Sequence, residues 1–269
     1  MVRALLVRGL LLGLLAGLIA GGFAFAFGEP RVDSAIALEE AHAAREAPGH
    51  DHAAQQASGH DHAAQQVSGH DHGEEELVGR PGQKAGLFLA TGLYGLAVGG
   101  IFALVHAGLR GRVGPRSEGG LALAAAGTAF VAVILVPFVK YPANPPAVGD
   151  PETIGGRTSL YVVMVVVGLA ATAVAVATAR RVTAGPWARW VAAVAAFLVP
   201  VVAAWTLLPA VDEVPGGFPA TLLWQFRLAS LGTQLVFWTA FGVLFGWVSD
   251  RAARRAGALP ARAATASPG

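Results

Sequence analysis

Six apolar stretches divide the chain, and each is long enough to cross a bilayer as a helix. A helix rises about 1.5 Å per residue, so about 20 apolar residues cross the hydrocarbon core. The stretches run approximately over Leu5–Phe27, Gly86–Ala107, Leu121–Val139, Leu160–Ala179, Trp187–Leu208 and Leu222–Val248. The pattern predicts an all-α integral membrane protein with about six transmembrane helices in one bundle.

The same pattern divides the chain into four parts. Residues 1–27 form the first transmembrane helix, 28–85 an extramembrane loop, 86–249 a five-helix transmembrane bundle, and 250–269 a basic tail predicted to be disordered. Within the loop, Ser34–Arg45 is predicted to be a short helix, because Ser34 suits an N-cap and alanine and glutamate are good helix formers. The remainder of the loop lacks apolar residues to bury, so we expect it to be mostly disordered.

Composition narrows the function classes. Only 13% of the residues are charged and 54% are hydrophobic, against about 25% charged in an ordinary soluble domain. The chain contains no cysteine, which excludes disulfides, thiolate metal sites and cysteine nucleophiles. No Walker A, H-E-x-x-H or G-x-S-x-G sequence occurs, so neither nucleotide binding nor enzyme activity is predicted. The basic residues form no single patch, so no nucleic-acid partner is expected.

Charge divides the connections between the helices into two sets. One set carries fifteen acidic and seven basic residues. The other set carries only two acidic residues, Glu118 and Asp250. Its twelve basic residues are Arg3, Arg8, Arg110, Arg112, Arg116, Arg180, Arg181, Arg189, Arg251, Arg254, Arg255 and Arg262. Because basic residues concentrate on the cytoplasmic side, both termini are predicted to be cytoplasmic. The loop after the first helix is then periplasmic or extracellular.

The first apolar stretch has a second interpretation, as a signal peptide. Arg3 and Arg8 precede it, and Ala24-Phe25-Ala26 near its end fits a cleavage site. The run of about 19 residues is longer than the usual 7–15 of a signal peptide, which favours an uncleaved anchor. Both interpretations put the following loop on the same side of the membrane.

Three copies of Gly-His-Asp-His, ten residues apart, lie in this loop at 49–52, 59–62 and 69–72. Neutral imidazole is a good ligand for Co²⁺, Ni²⁺ or Zn²⁺, and a neighbouring carboxylate adds a hard oxygen. Two interpretations stay open: a collector that raises the local metal concentration, or a low-complexity insert grown by duplication. The predicted metal ligands are His42, His50, Asp51, His52, His60, Asp61, His62, His70, Asp71 and His72.

A second group of polar residues is predicted to gather at the outer helix ends, as a pathway or as a structural cap. Arg227, Ser230 and Gln234 share one face of the sixth span at i, i+3 and i+7. An arginine near lipid needs a partner, so Arg227 is expected to pair with Asp212, Glu213, Asp150 or Glu152. The complete group is Lys140, Tyr141, Asn144, Asp150, Glu152, Asp212, Glu213, Arg227, Ser230 and Gln234.

Three further features lie within the spans. Gly9, Gly13, Gly17 and Gly21 form a stripe that predicts close helix packing. Pro137 and Pro200 release the carbonyls of Val133 and Ala196 from helical hydrogen bonds, and transporters use such carbonyls as cation ligands. His106 near the inner end of the second span is predicted to be a hydrogen-bonded interface histidine, with metal binding as the alternative.

Three segments of the chain resemble the CbtA family of proposed cobalt transporter subunits, which is associated with vitamin B12 synthesis. They are LLVRGLLLGLLAGLIAGGFAFAFGEPRVDSAIALEEA, VKYPANPPAVGDPETIGGRT and LPAVDEVPGGFPATLLWQFRLASLGTQ. The resemblance covers nearly the whole chain. It implies a bacterial inner-membrane protein that imports cobalt together with a second, small subunit that crosses the membrane once.

The chain departs from the family pattern in two ways. The family's histidine-rich motif belongs to the small partner, whereas here the repeats lie in this chain, and the family is usually described with five spans. The main interpretation is a component of a divalent-metal uptake system, for Co²⁺ or alternatively Ni²⁺ or Zn²⁺. The alternative is a membrane-anchored metal-binding or assembly protein that does not translocate metal. The expected partners are the lipid bilayer, the small single-span protein and, as an open alternative, further copies of the chain.

Overall fold

The computed structural model describes residues 2–46, 80–146, 148–149 and 151–265, and it is helical without strands over these ranges. The eight α-helices are α1 (Val2–Phe23), α2 (Glu29–Glu46), α3 (Arg80–Leu109), α4 (Glu118–Ala129), α5 (Val136–Lys140), α6 (Ile154–Arg181), α7 (Pro186–Leu207) and α8 (Ala220–Thr265). Two π-helical turns, Ala24–Gly28 and Phe130–Leu135, join α1 to α2 and α4 to α5, and a 3₁₀ turn, Pro151–Thr153, precedes α6.

Six helical segments of the described residues are long and apolar enough to cross a membrane. They are Val2–Arg45, Gly82–Leu109, Glu118–Lys140, Ile154–Arg181, Pro186–Leu207 and Ala220–Ala256. The prediction of an all-α chain with six apolar helices is therefore confirmed. We call the helix ends that carry Arg8, Arg110 and Asp250 the arginine-rich end, and the ends that carry residues 141–149 and 208–219 the proline-rich end.

The first helix does not stop where the sequence predicted. It was expected to end at Phe27, with a separate short helix at Ser34–Arg45, but α1 and α2 form one continuous helical rod through the π-helical turn Ala24–Gly28. At 1.5 Å per residue, α2 projects about 27 Å beyond this turn. Arg80 at the start of α3 forms salt bridges with Glu29 and Asp33, which tie α3 to the base of α2.

The glycine stripe of α1 packs directly on α3. A Cβ at Gly13 would overlap the Gly95 carbonyl oxygen, and a Cβ at Gly9 would overlap that of Gly99. The two backbones therefore touch, which glycine alone permits. This confirms the interpretation of the stripe as a packing surface.

The remaining helices differ in how many of their residues are buried. Helix α8 supplies Phe237, Phe241 and Phe245 to the core, where they are almost completely buried. Helix α4 packs against α8, whereas α7 lies at the periphery against α6 and has no buried residue. The core of the bundle is therefore formed mainly by α1, α3, α4 and α8.

One further expectation needs correction. The sixth span was predicted to end at Val248 before a disordered tail, but the α8 backbone stays helical to Thr265. The Val133 carbonyl beside Pro137, which was considered as a cation ligand, accepts a hydrogen bond from the Tyr161 hydroxyl at 3.4 Å. Helix α7 continues through Pro200 without ending.

Candidate functional site

Arg227 lies at the proline-rich end and holds the loop that follows α5. Its Nη2 donates to Asn144 Oδ1 at 2.9 Å, and its Nε donates to the Ala143 carbonyl at 3.3 Å. Within the described part of the chain, it forms no salt bridge with Asp212, Glu213 or Glu152, three of the four carboxylates predicted as alternative partners. A pairing with Asp150 lies outside the described residues.

Glu213 instead pairs with Arg157, whose Nη1 lies 3.2 Å from Oε2. The pair joins the start of α6 to the segment after α7. Gly149, with a φ of 110°, makes room for it, because a Cβ there would collide with the Arg157 guanidinium. Arg157 carries no sequence motif that singles it out, although it is one of only seven basic residues on the acidic side. Asp212 and Glu152 are exposed.

Lys140 and Tyr141 join the end of α5 to the end of α7. The Lys140 ammonium lies 5.2 Å from the Trp205 ring centroid and 5.9 Å from that of Tyr141, within cation–π range. The Tyr141 hydroxyl donates to the Pro209 carbonyl at 2.8 Å. Burial raises the pKa of Tyr141, so this hydroxyl remains a donor at neutral pH. Both side chains thus stabilise the proline-rich end.

Gln234 does not join this outer group. It lies seven residues along α8 from Arg227, which is about 10 Å deeper, and its Oε1 accepts a hydrogen bond from the Tyr94 hydroxyl at 3.2 Å. Both line a cavity of about 230 Å³ between α1, α3 and α8, together with Thr91 and Thr233. Ser230, one turn nearer Arg227, is half-buried. Four oxygen-bearing side chains therefore line one partly open cavity between these helices.

An aromatic layer closes this cavity toward the arginine-rich end. Phe237, Phe241 and Phe245 recur at four-residue spacing on one face of α8, and Phe237 itself lines the cavity. Phe102 of α3 contacts Phe241 and Phe245 edge to face, with centroids 4.9 and 5.4 Å apart. Such a layer excludes water, because buried aromatic rings leave no hydrogen-bonding group exposed.

His106 lies just beyond the aromatic layer, one turn along α3 from Phe102. It is fully buried, and its Nε2 lies 3.7 Å from Glu118 Oε2. The described residues offer no hydrogen-bond partner to either ring nitrogen, so the prediction of a hydrogen-bonded histidine is wrong. Glu118 Oε1 pairs with Arg110, and Asp250 Oδ1 accepts from the Gly119 backbone N–H at 2.7 Å.

The predicted histidine-rich metal ligands fall almost entirely outside the described residues. Of that set, the structure describes only His42, which is exposed on α2. Across the described ranges, no three or more histidines, aspartates and glutamates gather where they could hold a metal ion. Metal binding by the repeats therefore stays a prediction.

Comparison with known proteins identifies the family. Residues 2–250 match the model of the probable cobalt transporter subunit (CbtA) family. Neither a curated protein nor a solved structure matches the chain. Because the match includes all six apolar helices and the outer and inner polar groups, the chain belongs to the probable cobalt transporter subunit (CbtA) family.

Proposed function

We propose that the chain is the membrane component of a divalent-metal uptake system and forms at least part of the path for the ion. Family membership supports cobalt as the substrate. The observation that carries the proposal is that Thr91, Tyr94, Thr233 and Gln234 line one partly open cavity between α1, α3 and α8, which we call the oxygen-lined cavity. Polar groups at membrane depth are costly, and they mark substrate pathways when they line a cavity.

The path runs between α3 and α8. Arg227 and Asn144 lie at its outer end, the oxygen-lined cavity follows about 10 Å deeper, and His106 with Glu118 lies beyond the aromatic layer. Hydrophobic constrictions gate channels by excluding water. The layer of Phe102, Phe237, Phe241 and Phe245 therefore represents the closed gate of this path.

The Gly-His-Asp-His repeats are proposed to capture metal before it enters. Imidazole and carboxylate suit Co²⁺, and equally Ni²⁺ or Zn²⁺, so these residues concentrate the ion without selecting it strongly. The repeats follow α2, which starts at the proline-rich end. They are thus tethered on the same side as Arg227 and Asn144.

The arginine excess supports an orientation with the arginine-rich end in the cytoplasm of a bacterial cell, across its inner membrane. The repeats are then periplasmic or extracellular. The word subunit in the family description supports a multi-component system. A small single-span partner is proposed for it, and assembly of several copies of the chain is also compatible.

Uptake of radioactive cobalt by cells with and without the chain tests the function.

The variant Gln234→Leu tests the cavity, because it removes a polar group at similar side-chain volume. We expect its cobalt uptake to fall at least about tenfold, the loss typical when a residue that supports a metal ligand is missing. Gln225→Leu is the matched control, since Gln225 is on the same helix but exposed. Membrane abundance must stay equal in both variants.

Equal uptake by the Gln234→Leu and Gln225→Leu cells would remove the cavity from the path. Equal uptake by cells with and without the chain would contradict the transport function itself.

A further inference from the structure

The group of polar side chains at the arginine-rich end is not explained by helix packing. His106 is fully buried and Ser249 is 3% exposed, yet neither side chain has a hydrogen-bond partner among the described residues. Glu118 Oε2 is also buried without a partner there. A buried polar group without a hydrogen-bond partner destabilises the fold. Three such groups in one region indicate that something else occupies it.

The distance between His106 and Glu118 indicates what kind of ligand occupies this region. Their Nε2 and Oε2 atoms are 3.7 Å apart, beyond the roughly 3.2 Å limit of a good hydrogen bond. Two ligand atoms bound about 2.1 Å from one ion at a tetrahedral angle lie about 3.4 Å apart. A shift of a few tenths of an ångström therefore brings both atoms to coordination distance from a single divalent cation.

We propose that His106 and Glu118 hold a divalent cation at the arginine-rich end of the bundle. Phe102 and Phe245 contact the imidazole, with ring centroids 6.2 and 5.1 Å away, and orient it. Arg110 pairs with Glu118 Oε1 and leaves Oε2 to the ion. Imidazole with carboxylate is a ligand pair that Co²⁺, Ni²⁺ and Zn²⁺ all accept.

An adjoining cavity gives the ion access and further ligands. It has a volume of about 160 Å³ and is lined by Glu118, Ser249, Arg8 and Arg110. Since one water occupies about 30 Å³ of liquid, several waters fit and can complete the coordination shell.

The two arginines make this a weak site, because their charge opposes a cation. Conduction requires that an ion bind well enough to enter a site and weakly enough to leave it. The role of the site as the last binding position before the ion is released rests on the proposed function. The binding of the ion does not, so the two can fail separately.

The test removes the competing histidines first. In the full-length chain with the six repeat histidines changed to alanine, His42 and His106 remain. This purified background chain is titrated with Co²⁺ and followed by equilibrium dialysis and by visible absorption of the ion. We expect binding of one Co²⁺ per chain, weakened at least about tenfold by His106→Phe or Glu118→Gln. Glu40→Gln, which removes an exposed carboxylate of α2, is the matched control for Glu118→Gln and should bind as the background does.

Phenylalanine preserves the aromatic contacts of His106, which protects the fold. Should His106→Phe nevertheless fail to accumulate, the chain that also carries His42→Ala decides the question, since His106 is then its sole imidazole. Paramagnetic Co²⁺ should shift the ring resonances of His106 in its NMR spectrum. Unchanged resonances, or binding that survives both His106→Phe and Glu118→Gln, would overturn the proposal.

Discussion

Polar side chains of α3 and α8 lie at three depths along the bundle. Arg227 binds two loop oxygens at the proline-rich end, Gln234 bonds to Tyr94 within the membrane, and His106 faces Glu118 at the arginine-rich end. Charged and amide groups at these depths need partners, because lipid supplies none. Among the described residues, Asn144 and the Ala143 carbonyl supply the acceptors for Arg227.

At the residue scale, the repeat histidines should matter only when metal is scarce. Changing His50, His52, His60, His62, His70 and His72 to alanine should lower cobalt uptake several-fold at limiting cobalt and leave it nearly unchanged at saturating cobalt. The reason is that a collector changes the local concentration and not the path. Uptake is measured at both concentrations, with His42→Ala as the control outside the repeats.

Equal loss at both concentrations would place these histidines in the path itself. No loss at either concentration would favour the interpretation of the repeats as an insert.

At the scale of elements, the pairing of α1 with α3 is the closest contact of the bundle. Glycines on both helices allow the carbonyls of Gly95 and Gly99 to approach the α1 backbone. Two π-helical turns alter the register of two spans, and the second directly precedes Pro137. Such turns absorb the hydrogen bond that proline cannot form. The α6–α7 hairpin packs outside this core.

A methyl group at Gly13 should force α1 away from α3. Gly13→Ala is expected to destabilise the protein by about 1–3 kcal/mol, the usual cost of overpacking, because the new Cβ would overlap the Gly95 carbonyl oxygen. Gly22→Ala on the same helix is the control, since nothing lies within 4 Å of a Cβ there. Thermal melting of the detergent-solubilised variants measures the difference.

A Gly13→Ala melting temperature equal to that of Gly22→Ala would mean that the two helices are farther apart than the structure has them.

For the whole molecule, the arginine excess at one end is the argument for the proposed orientation of the bundle. Twelve basic and two acidic residues lie on the predicted cytoplasmic side, against seven and fifteen on the other. The Arg110–Glu118 pair neutralises one charge of this excess.

A topology reporter should therefore give opposite results at the two ends. A fusion after Gly73 is expected to report an extracytoplasmic position, and a fusion after Gly114, in the turn between α3 and α4, a cytoplasmic one. Alkaline phosphatase activity at each fusion point measures this. A cytoplasmic Gly73 fusion would reverse the proposed orientation and with it the direction of the path.

Much of the fold could be predicted from the sequence because membrane spans depend on local composition. The length of the apolar stretches identified all six helices, and the glycine spacing on α1 identified a packing face. The sequence did not predict that α1 continues into α2, nor how far α8 extends. Helix extension beyond the membrane depends on tertiary contacts, such as those of Arg80 with Glu29 and Asp33, as much as on propensity.

The sequence by itself determined that the chain has six long apolar helices, that the arginines collect at one end of them, and that Arg227 and Gln234 share a helix face. Only the tertiary structure decided the partners: Asn144 for Arg227, Arg157 for Glu213, Tyr94 for Gln234 and Glu118 for His106. Hydropathy and charge are properties of each segment and survive any arrangement of the helices. Side-chain pairs depend on how each helix is rotated and which neighbour it meets, and these follow from packing across the whole bundle.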